Sequence, residues 1–110
     1  MNWKHLNSTN DLKEAIELSN TQPVALFKHS TRCSVSMMAK RGLEQFWDLP
    51  IEAYHLDLIA HRDISSQIAN TFGVRHESPQ IIVIRNGKAV YDASHGKIDV
   101  DALRPFVEQR

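Results

Sequence analysis

The chain of 110 residues predicts an α/β fold, with a mixed central sheet and helices on both faces. Short apolar runs such as Val24-Ala25-Leu26-Phe27 are typical of buried strands, and they alternate along the chain with segments of helical periodicity. Asn86-Gly87 separates two strand-like segments and predicts a tight hairpin, so strands near the end of the chain pair antiparallel. The predicted order of elements is β-α-β-α-β-α-β-β-α.

The length and composition are those of one globular domain, which we expect to span residues 1–110. Lys plus Arg number 13 and Asp plus Glu 13, so no excess charge predicts binding to nucleic acid or to an anionic membrane. The apolar runs are far too short to cross a membrane, and the first residues lack the apolar core of a signal peptide. The single cysteine suits a reducing cytoplasm, which is the expected location.

The first third of the chain predicts a strand, a helix and a second strand. The first strand covers Trp3–Leu6, and Ser8 or Thr9 caps the helix that follows. That helix has an apolar stripe made of Leu12, Ala15 and Ile16. The second strand, Val24–Lys28, has an apolar run at its centre, which predicts a central strand covered on both faces.

A second helix is predicted to begin at or just after Cys33 and to extend to about Trp47, because Leu49-Pro50 ends it. Its apolar residues recur at helical spacing, and we expect this stripe to face the core. The stripe consists of Val35, Met38, Ala39, Gly42 and Phe46. We expect Trp47 in the core as well.

The remaining chain predicts three strands and two helices. The strands are Glu52–Leu58, Gln80–Arg85 and Lys88–Asp92. A helix over Arg62–Phe72 ends at Gly73, a residue suited to the C′ position. The last helix opens at Asp99 or Asp101, and Pro105 falls within it, so it either starts late or bends.

Cys33 is the residue around which the chemistry of the chain is organised. It lies between a buried strand and a helix start, where backbone N–H groups are unpaired and the helix dipole favours negative charge. A thiol in such a position ionises more readily, and the thiolate is the form that attacks disulfides. Arg32 adds a positive charge beside it. We therefore interpret Cys33 as a reactive nucleophile rather than a buried, inert cysteine.

Cys33-Ser34-Val35-Ser36 has the spacing of a Cys-x-x-Cys redox site, with serine in the second cysteine position. The predicted order of elements is the layout of the thioredoxin fold, and Ser78-Pro79 precedes a later strand as the cis-proline of thioredoxin-like proteins does. This resemblance implies a cis Ser78–Pro79 bond that lies against Cys33. It also implies that Ser78 offers backbone hydrogen bonds to an extended substrate.

Further residues resemble one particular family of thioredoxin-like proteins. His29-Ser30-Thr31-Arg32-Cys33 followed by Ser36, together with residues 80–87, is similar to the monothiol bacilliredoxin family. Its members are thioredoxin-like proteins associated with the small thiol bacillithiol. The family usually has proline and isoleucine directly after the cysteine, where this chain has Ser34 and Val35.

The resemblance implies that the protein removes bacillithiol, or a similar small thiol, from mixed disulfides on oxidised proteins. Bacillithiol would be a co-substrate, bacillithiolated proteins the partners, and no cofactor would be tightly bound. A second thiol must clear the adduct, because the hydroxyl of Ser36 does not attack a disulfide. Besides the nucleophile Cys33, the expected site comprises the thiolate-stabilising Ser36 and Arg32 and the substrate-binding Thr31, Ser34, Ser78 and Pro79.

Two other functions remain open. One is a thioredoxin-like adaptor that binds a protein partner and whose cysteine is only modified under stress. The other is an iron–sulfur carrier similar to monothiol glutaredoxins, although those usually have Cys-Gly-Phe-Ser. The six histidines are scattered without metal-ligand spacing, so no metal site is expected. His29 either helps to set the protonation of Cys33 or is a plain strand-end histidine, and Asp57 is a candidate for proton handling.

Overall fold

The computed structural model describes residues 1–108, which form five strands and four α-helices around one sheet. The strands are β1 (Trp3–His5), β2 (Val24–His29), β3 (Glu52–Asp57), β4 (Gln80–Arg85) and β5 (Lys88–Ser94). The helices are α1 (Thr9–Leu18), α2 (Ser34–Phe46), α3 (Arg62–Phe72) and α4 (Val100–Val107), and a short 3₁₀ turn covers His95–Lys97. Within the described range, no helix is long and apolar enough to span a membrane.

The sheet has the order β1-β3-β2-β4-β5. β1, β3 and β2 are parallel to one another, whereas β4 is antiparallel to both β2 and β5. The expected mixed α/β architecture and order of elements are therefore confirmed. β5 continues to Ser94, two residues beyond its expected end at Asp92, because it stays paired with β4 as far as Gln80.

β2 lies at the centre of the sheet and is buried along its whole length, as its apolar run predicts. Alternate side chains of each strand point to opposite faces, and each face is covered by two helices. One core includes Leu26 of β2 and is covered by α1 and α3, while the other includes Phe27 and is covered by α2 and α4. Each large aliphatic side chain that is fully buried in these cores contributes about 1.5–3 kcal/mol to folding.

The predicted caps and turns are present. The Ser8 hydroxyl accepts a hydrogen bond from the Asp11 N–H at the start of α1, and Gly73 adopts a left-handed conformation (φ 64°) at the end of α3. Asn86 and Gly87 both have positive φ angles, 52° and 74°, as a type I′ hairpin turn requires. Ser19, at the end of α1, accepts hydrogen bonds from both N–H groups of this turn.

The core-facing stripe predicted for α2 is wrong for Val35, Met38 and Phe46, whose side chains are 45%, 72% and 65% exposed. The buried face is rotated by one residue along the helix and carries Ser36 and Leu43, with Ala39 and Trp47 packed against the core. Both sets of residues repeat at helical spacing, so periodicity alone does not decide between them. The buried Ser36 hydroxyl is hydrogen-bonded on this face, to His29 and to the Ser30 N–H.

Pro105 lies inside α4, which begins at Val100 with Asp99 as its N-cap residue. The alternative of a late start is therefore wrong. A proline lacks the N–H that would bond to the carbonyl four residues earlier, so the helix forgoes its bond to Asp101. Burial of Val100, Leu103 and Val107 holds this short helix against the sheet.

Candidate functional site

The candidate site lies at one edge of the sheet, where three chain segments meet. β2 and β3 are parallel and end at this edge, and the antiparallel β4 begins there. Lys28 pairs with Gln80, so one step further the register places Pro79 opposite His29. The Ser78–Pro79 peptide bond is cis, as expected. The turn that carries Cys33 and the cis-proline loop therefore belong to the same edge.

Cys33 is the N-cap residue of α2, which confirms the predicted position at a helix start. It is partly exposed, and its side chain makes no capping hydrogen bond. Its N–H donates to the Ser30 carbonyl at 3.3 Å, and its carbonyl accepts from the Met37 N–H at 3.0 Å. The sulfur thus lies beside the first N–H groups of α2, which have no partner within the helix and favour negative charge.

The neighbours of Cys33 in the turn, Thr31, Arg32 and Ser34, are exposed. Arg32 is exposed next to Cys33 in sequence, and among the described residues its guanidinium forms no ion pair. A guanidinium in this state can bind a carboxylate with two parallel hydrogen bonds. The predicted roles of these three residues in thiolate stabilisation and substrate binding stay predictions.

Ser36 is fully buried one turn after Cys33. Its hydroxyl lies 2.6 Å from His29 Nδ1 and accepts a hydrogen bond from the Ser30 N–H at 3.0 Å. The Ser36 hydroxyl is therefore hydrogen-bonded to His29 at the end of β2 and to Ser30 in the turn. Its contact with the thiolate stays a prediction. The pairing with His29 was not predicted, because the sequence gives no sign that a strand-end ring meets the first turn of the next helix.

His29 is buried at the end of β2, in a row of aromatic rings. Its ring stacks on Phe27 with centroids 5.8 Å apart and lies 5.3 Å from the His55 ring. Burial lowers the pKa of His29 below its ordinary value, and the nearby Lys40 ammonium lowers this pKa further. Burial lowers the pKa of His55 more strongly, to about 4. Both rings are consequently neutral near pH 7.

The cis-proline loop contributes two groups to the edge. Pro79 is buried, and its carbonyl accepts a hydrogen bond from the His95 N–H at 3.0 Å. The Ser78 hydroxyl is buried and has no hydrogen-bond partner in the described part of the chain. Buried polar atoms without partners are uncommon, so this hydroxyl is a candidate contact for a bound substrate. The predicted substrate-binding roles of both residues are otherwise untested by the geometry.

Asp57 and Lys28 are two further charged residues near this edge. Asp57 Oδ1 accepts hydrogen bonds from the N–H groups of Ile59 and Ala60, so this carboxylate closes the turn after β3. Lys28 was not predicted as a notable residue, because lysine is normally exposed. It is fully buried, its Nζ lies 3.2 Å from His76 Nδ1, and burial lowers its pKa to about 8.

Within residues 1–108, no group of three or more His, Cys, Asp or Glu side chains is arranged to hold a metal ion.

Residues 4–103 match the family model described as monothiol bacilliredoxin BrxC. A solved structure described as a candidate oxidoreductase with a thioredoxin fold is 32% identical; the match covers 96% of this chain and 93% of that one, with a TM-score of 0.85.

Two thioredoxins are similar in fold. That of Trypanosoma brucei brucei is 14% identical, with 98% of this chain and 93% of that chain covered and a TM-score of 0.79. That of Fasciola hepatica is 17% identical, with 94% of this chain and 95% of that chain covered and a TM-score of 0.74. These matches confirm the expected thioredoxin-like fold.

Proposed function

Because the chain belongs to the monothiol bacilliredoxin family, we propose that it is a thiol–disulfide oxidoreductase that removes bacillithiol, or a similar small thiol, from mixed disulfides on oxidised proteins. The observation that carries this proposal is the partly exposed residue Cys33 at the start of α2, with a buried hydroxyl instead of a second thiol one turn later. A thiol without an internal partner is suited to accepting and releasing a small-thiol adduct.

The reaction has two exchange steps. The Cys33 thiolate attacks the bacillithiol sulfur of the mixed disulfide; a Cys33–bacillithiol disulfide forms, and the target cysteine leaves as a thiolate that takes a proton from solvent. A second thiolate, from free bacillithiol or another redox protein, then attacks the adduct. It forms a new disulfide with the small thiol and returns Cys33 to its thiolate form. The oxidising equivalents thus pass from the target protein to the second thiol.

The groups around the sulfur support this assignment. The unpaired Arg32 guanidinium offers a carboxylate-binding fork to an acidic small thiol, and the hydroxyls of Thr31 and Ser34 are exposed beside it. The Ser78 hydroxyl, which lacks a partner in the described residues, lies next to the cis-proline and offers a further hydrogen bond. We include a reducing cytoplasm in the proposal, since a lone free thiol persists there.

One observation favours the adaptor function as a second candidate. Val35 and Met38 in the first turns of α2 expose large apolar side chains close to the thiol, and Phe46 does so at the far end of the helix. Exposed apolar groups near a reactive residue fit the binding of a protein partner. A protein substrate that carries a mixed disulfide would also contact this surface, so only a chemical assay separates the two functions.

The test is transfer of the small thiol. A protein that carries a bacillithiol mixed disulfide is mixed with the wild-type chain or with Cys33→Ser, and the masses of both proteins are followed. We expect the target to lose the small thiol and wild-type Cys33 to carry it transiently, whereas Cys33→Ser leaves the target unchanged. Lys88→Gln, in the exposed hairpin, is the control and should transfer at the wild-type rate.

The reactivity of Cys33 toward a small electrophile separates the adaptor function from the enzyme function. If wild-type Cys33 fails to take up the small thiol, and reacts with a small electrophile no faster than free cysteine at about pH 6, the proposed enzyme activity is excluded.

A further inference from the structure

A chain of hydrogen bonds connects the ring of His29 to the turn that carries the thiol. His29 Nδ1 lies 2.6 Å from the Ser36 hydroxyl oxygen, and that oxygen accepts from the Ser30 N–H at 3.0 Å. Ser30 in turn accepts from the turn, through its carbonyl from Cys33 N–H at 3.3 Å and through its hydroxyl from Arg32 N–H at 3.4 Å. The His29 ring and the Ser36 hydroxyl, both buried, therefore stabilise the backbone of the turn that carries Cys33.

We propose that His29 is a positioning residue for the Cys33 thiol, acting through the Ser36 hydroxyl: it fixes the turn that presents the sulfur and controls where the hydroxyl hydrogen points. The inference rests on the proposed thiol chemistry, since it assigns a role in that same site. It concerns a contact between residues seven positions apart, both of which are almost completely shielded from solvent.

The hydroxyl of Ser36 has one hydrogen, and the state of His29 decides its direction. The oxygen already accepts from the Ser30 N–H. A neutral ring with its hydrogen on Nε2 accepts the hydroxyl hydrogen at Nδ1, whereas a protonated ring donates from Nδ1 and releases that hydrogen. Cys33 and Ser36 are the N-cap and N3 residues of α2, so both side chains belong to its first turn. The released hydrogen can then be donated to the thiolate.

The charges around His29 come from both elements packed against it. On α2, Lys40 disfavours the protonated ring and Glu44 favours it; on β3, His55 lies in ring contact and Asp57 favours protonation. Together with burial, they lower the pKa of His29, so the ring is neutral near pH 7 and becomes charged on acidification. The positioning of the turn thus operates at neutral pH, and the additional hydrogen bond to the thiolate appears at acidic pH.

The experiment measures the rate at which Cys33 is alkylated by iodoacetamide between about pH 4.5 and pH 9, a readout that needs no bacillithiol. The variants are His29→Leu and Ser36→Ala, which break the chain of hydrogen bonds, and His29→Asn, whose amide occupies the Nδ1 position but does not titrate. His55→Asn is the control, because His55 Nε2 has no hydrogen-bond partner in the described residues and no bond to the turn.

At neutral pH we expect His29→Leu and Ser36→Ala to react roughly three- to tenfold more slowly than wild type, the effect of losing one or two neutral hydrogen bonds. His29→Asn and His55→Asn should stay within about threefold of wild type. On the acidic side, the wild-type rate should fall less steeply than the rate of His29→Asn, because a charged His29 releases the Ser36 hydrogen to the thiolate.

Wild-type rates in both His29→Leu and Ser36→Ala would overturn the proposal, and so would identical acidic limbs for wild type and His29→Asn. If His29→Leu does not fold, the comparison of wild type with His29→Asn decides. The pH midpoint of the His29 ring, measured by NMR titration of wild type, must then equal the pH at which the plot of alkylation rate against pH changes slope. A chain that alkylates as expected but transfers no bacillithiol would refute the proposed function and leave this inference intact.

Discussion

Lys28 is a buried cation that no carboxylate balances in the described structure; its Nζ lies 3.2 Å from the neutral ring nitrogen of His76. Burial of a charge without a counter-charge costs folding free energy, and the lowered pKa of Lys28, about 8, records this cost. The residue lies on the central strand directly before His29. The fold therefore tolerates an unfavourable residue close to its candidate site.

We expect Lys28→Met to raise the free energy of unfolding at pH 7 by about 1–2 kcal/mol, because a long apolar side chain replaces a buried charge. The measure is urea unfolding. The folded pKa of Lys28 is below its unfolded value of 10.5, so wild type gains stability between about pH 8 and 10.5 and the advantage of the variant shrinks there. Lys97→Met, which removes an exposed charge, is the control. A less stable Lys28→Met would mean that the contact with His76 outweighs the cost of burial.

At the scale of single residues, the sequence indicated where the candidate nucleophile lies but not what surrounds it. The position of Cys33 at a helix start was predictable, because it lies between a buried strand and a segment of helical periodicity. The stabilisation of the thiolate by Ser36 stays a prediction, and the contacts of its hydroxyl with His29 and Ser30 were not predicted. Such contacts depend on the angle at which α2 leaves the sheet, which no local pattern encodes.

Among the elements, α2 shows the limit of periodicity. Its exposed stripe, Val35, Met38 and Phe46, is more apolar than the face that packs on the sheet. The strand and turn elements were predicted closely, because Asn86-Gly87 and Gly73 readily adopt the positive φ angles that their turns require and the buried run of β2 is typical of a central strand. The orientation of a helix is set by packing against several elements at once, so sequence spacing alone did not determine it.

The orientation of α2 leads to a stability prediction. Leu43→Ala should lower the free energy of unfolding by about 2–5 kcal/mol, because it leaves a cavity against the sheet. Phe46→Gln should change it by less than about 0.5 kcal/mol, because the ring is already mostly in water. Urea unfolding of both variants checks this. A large loss for Phe46→Gln would show that the ring is packed in solution.

For the molecule as a whole, three histidines of the folded state resist protonation. Burial lowers the pKa of His29 and His76, and that of His55 to about 4. Between about pH 6.5 and pH 4 the unfolded chain therefore binds more protons than the folded one, and stability falls as the pH falls.

We expect His55→Asn to reduce this acid sensitivity. Between pH 7 and about pH 4.5 it should lose about 1 kcal/mol less stability than wild type, after allowance for the solvent that reaches the ring. The check is urea unfolding at several pH values, with Lys88→Gln in the exposed hairpin as control. Parallel stability curves for wild type and His55→Asn would contradict the prediction.

The single cysteine, at the start of α2, fixes the stoichiometry of oxidation. In a two-cysteine site the second sulfur is held at a constant effective concentration, so closing the disulfide does not depend on dilution. Here Cys33 has no second thiol in the chain, and each disulfide it forms joins it to another molecule. Exchange with a small-molecule disulfide releases one small thiol for each mixed disulfide formed, so the oxidised fraction of this protein follows the ratio of that disulfide to its thiol.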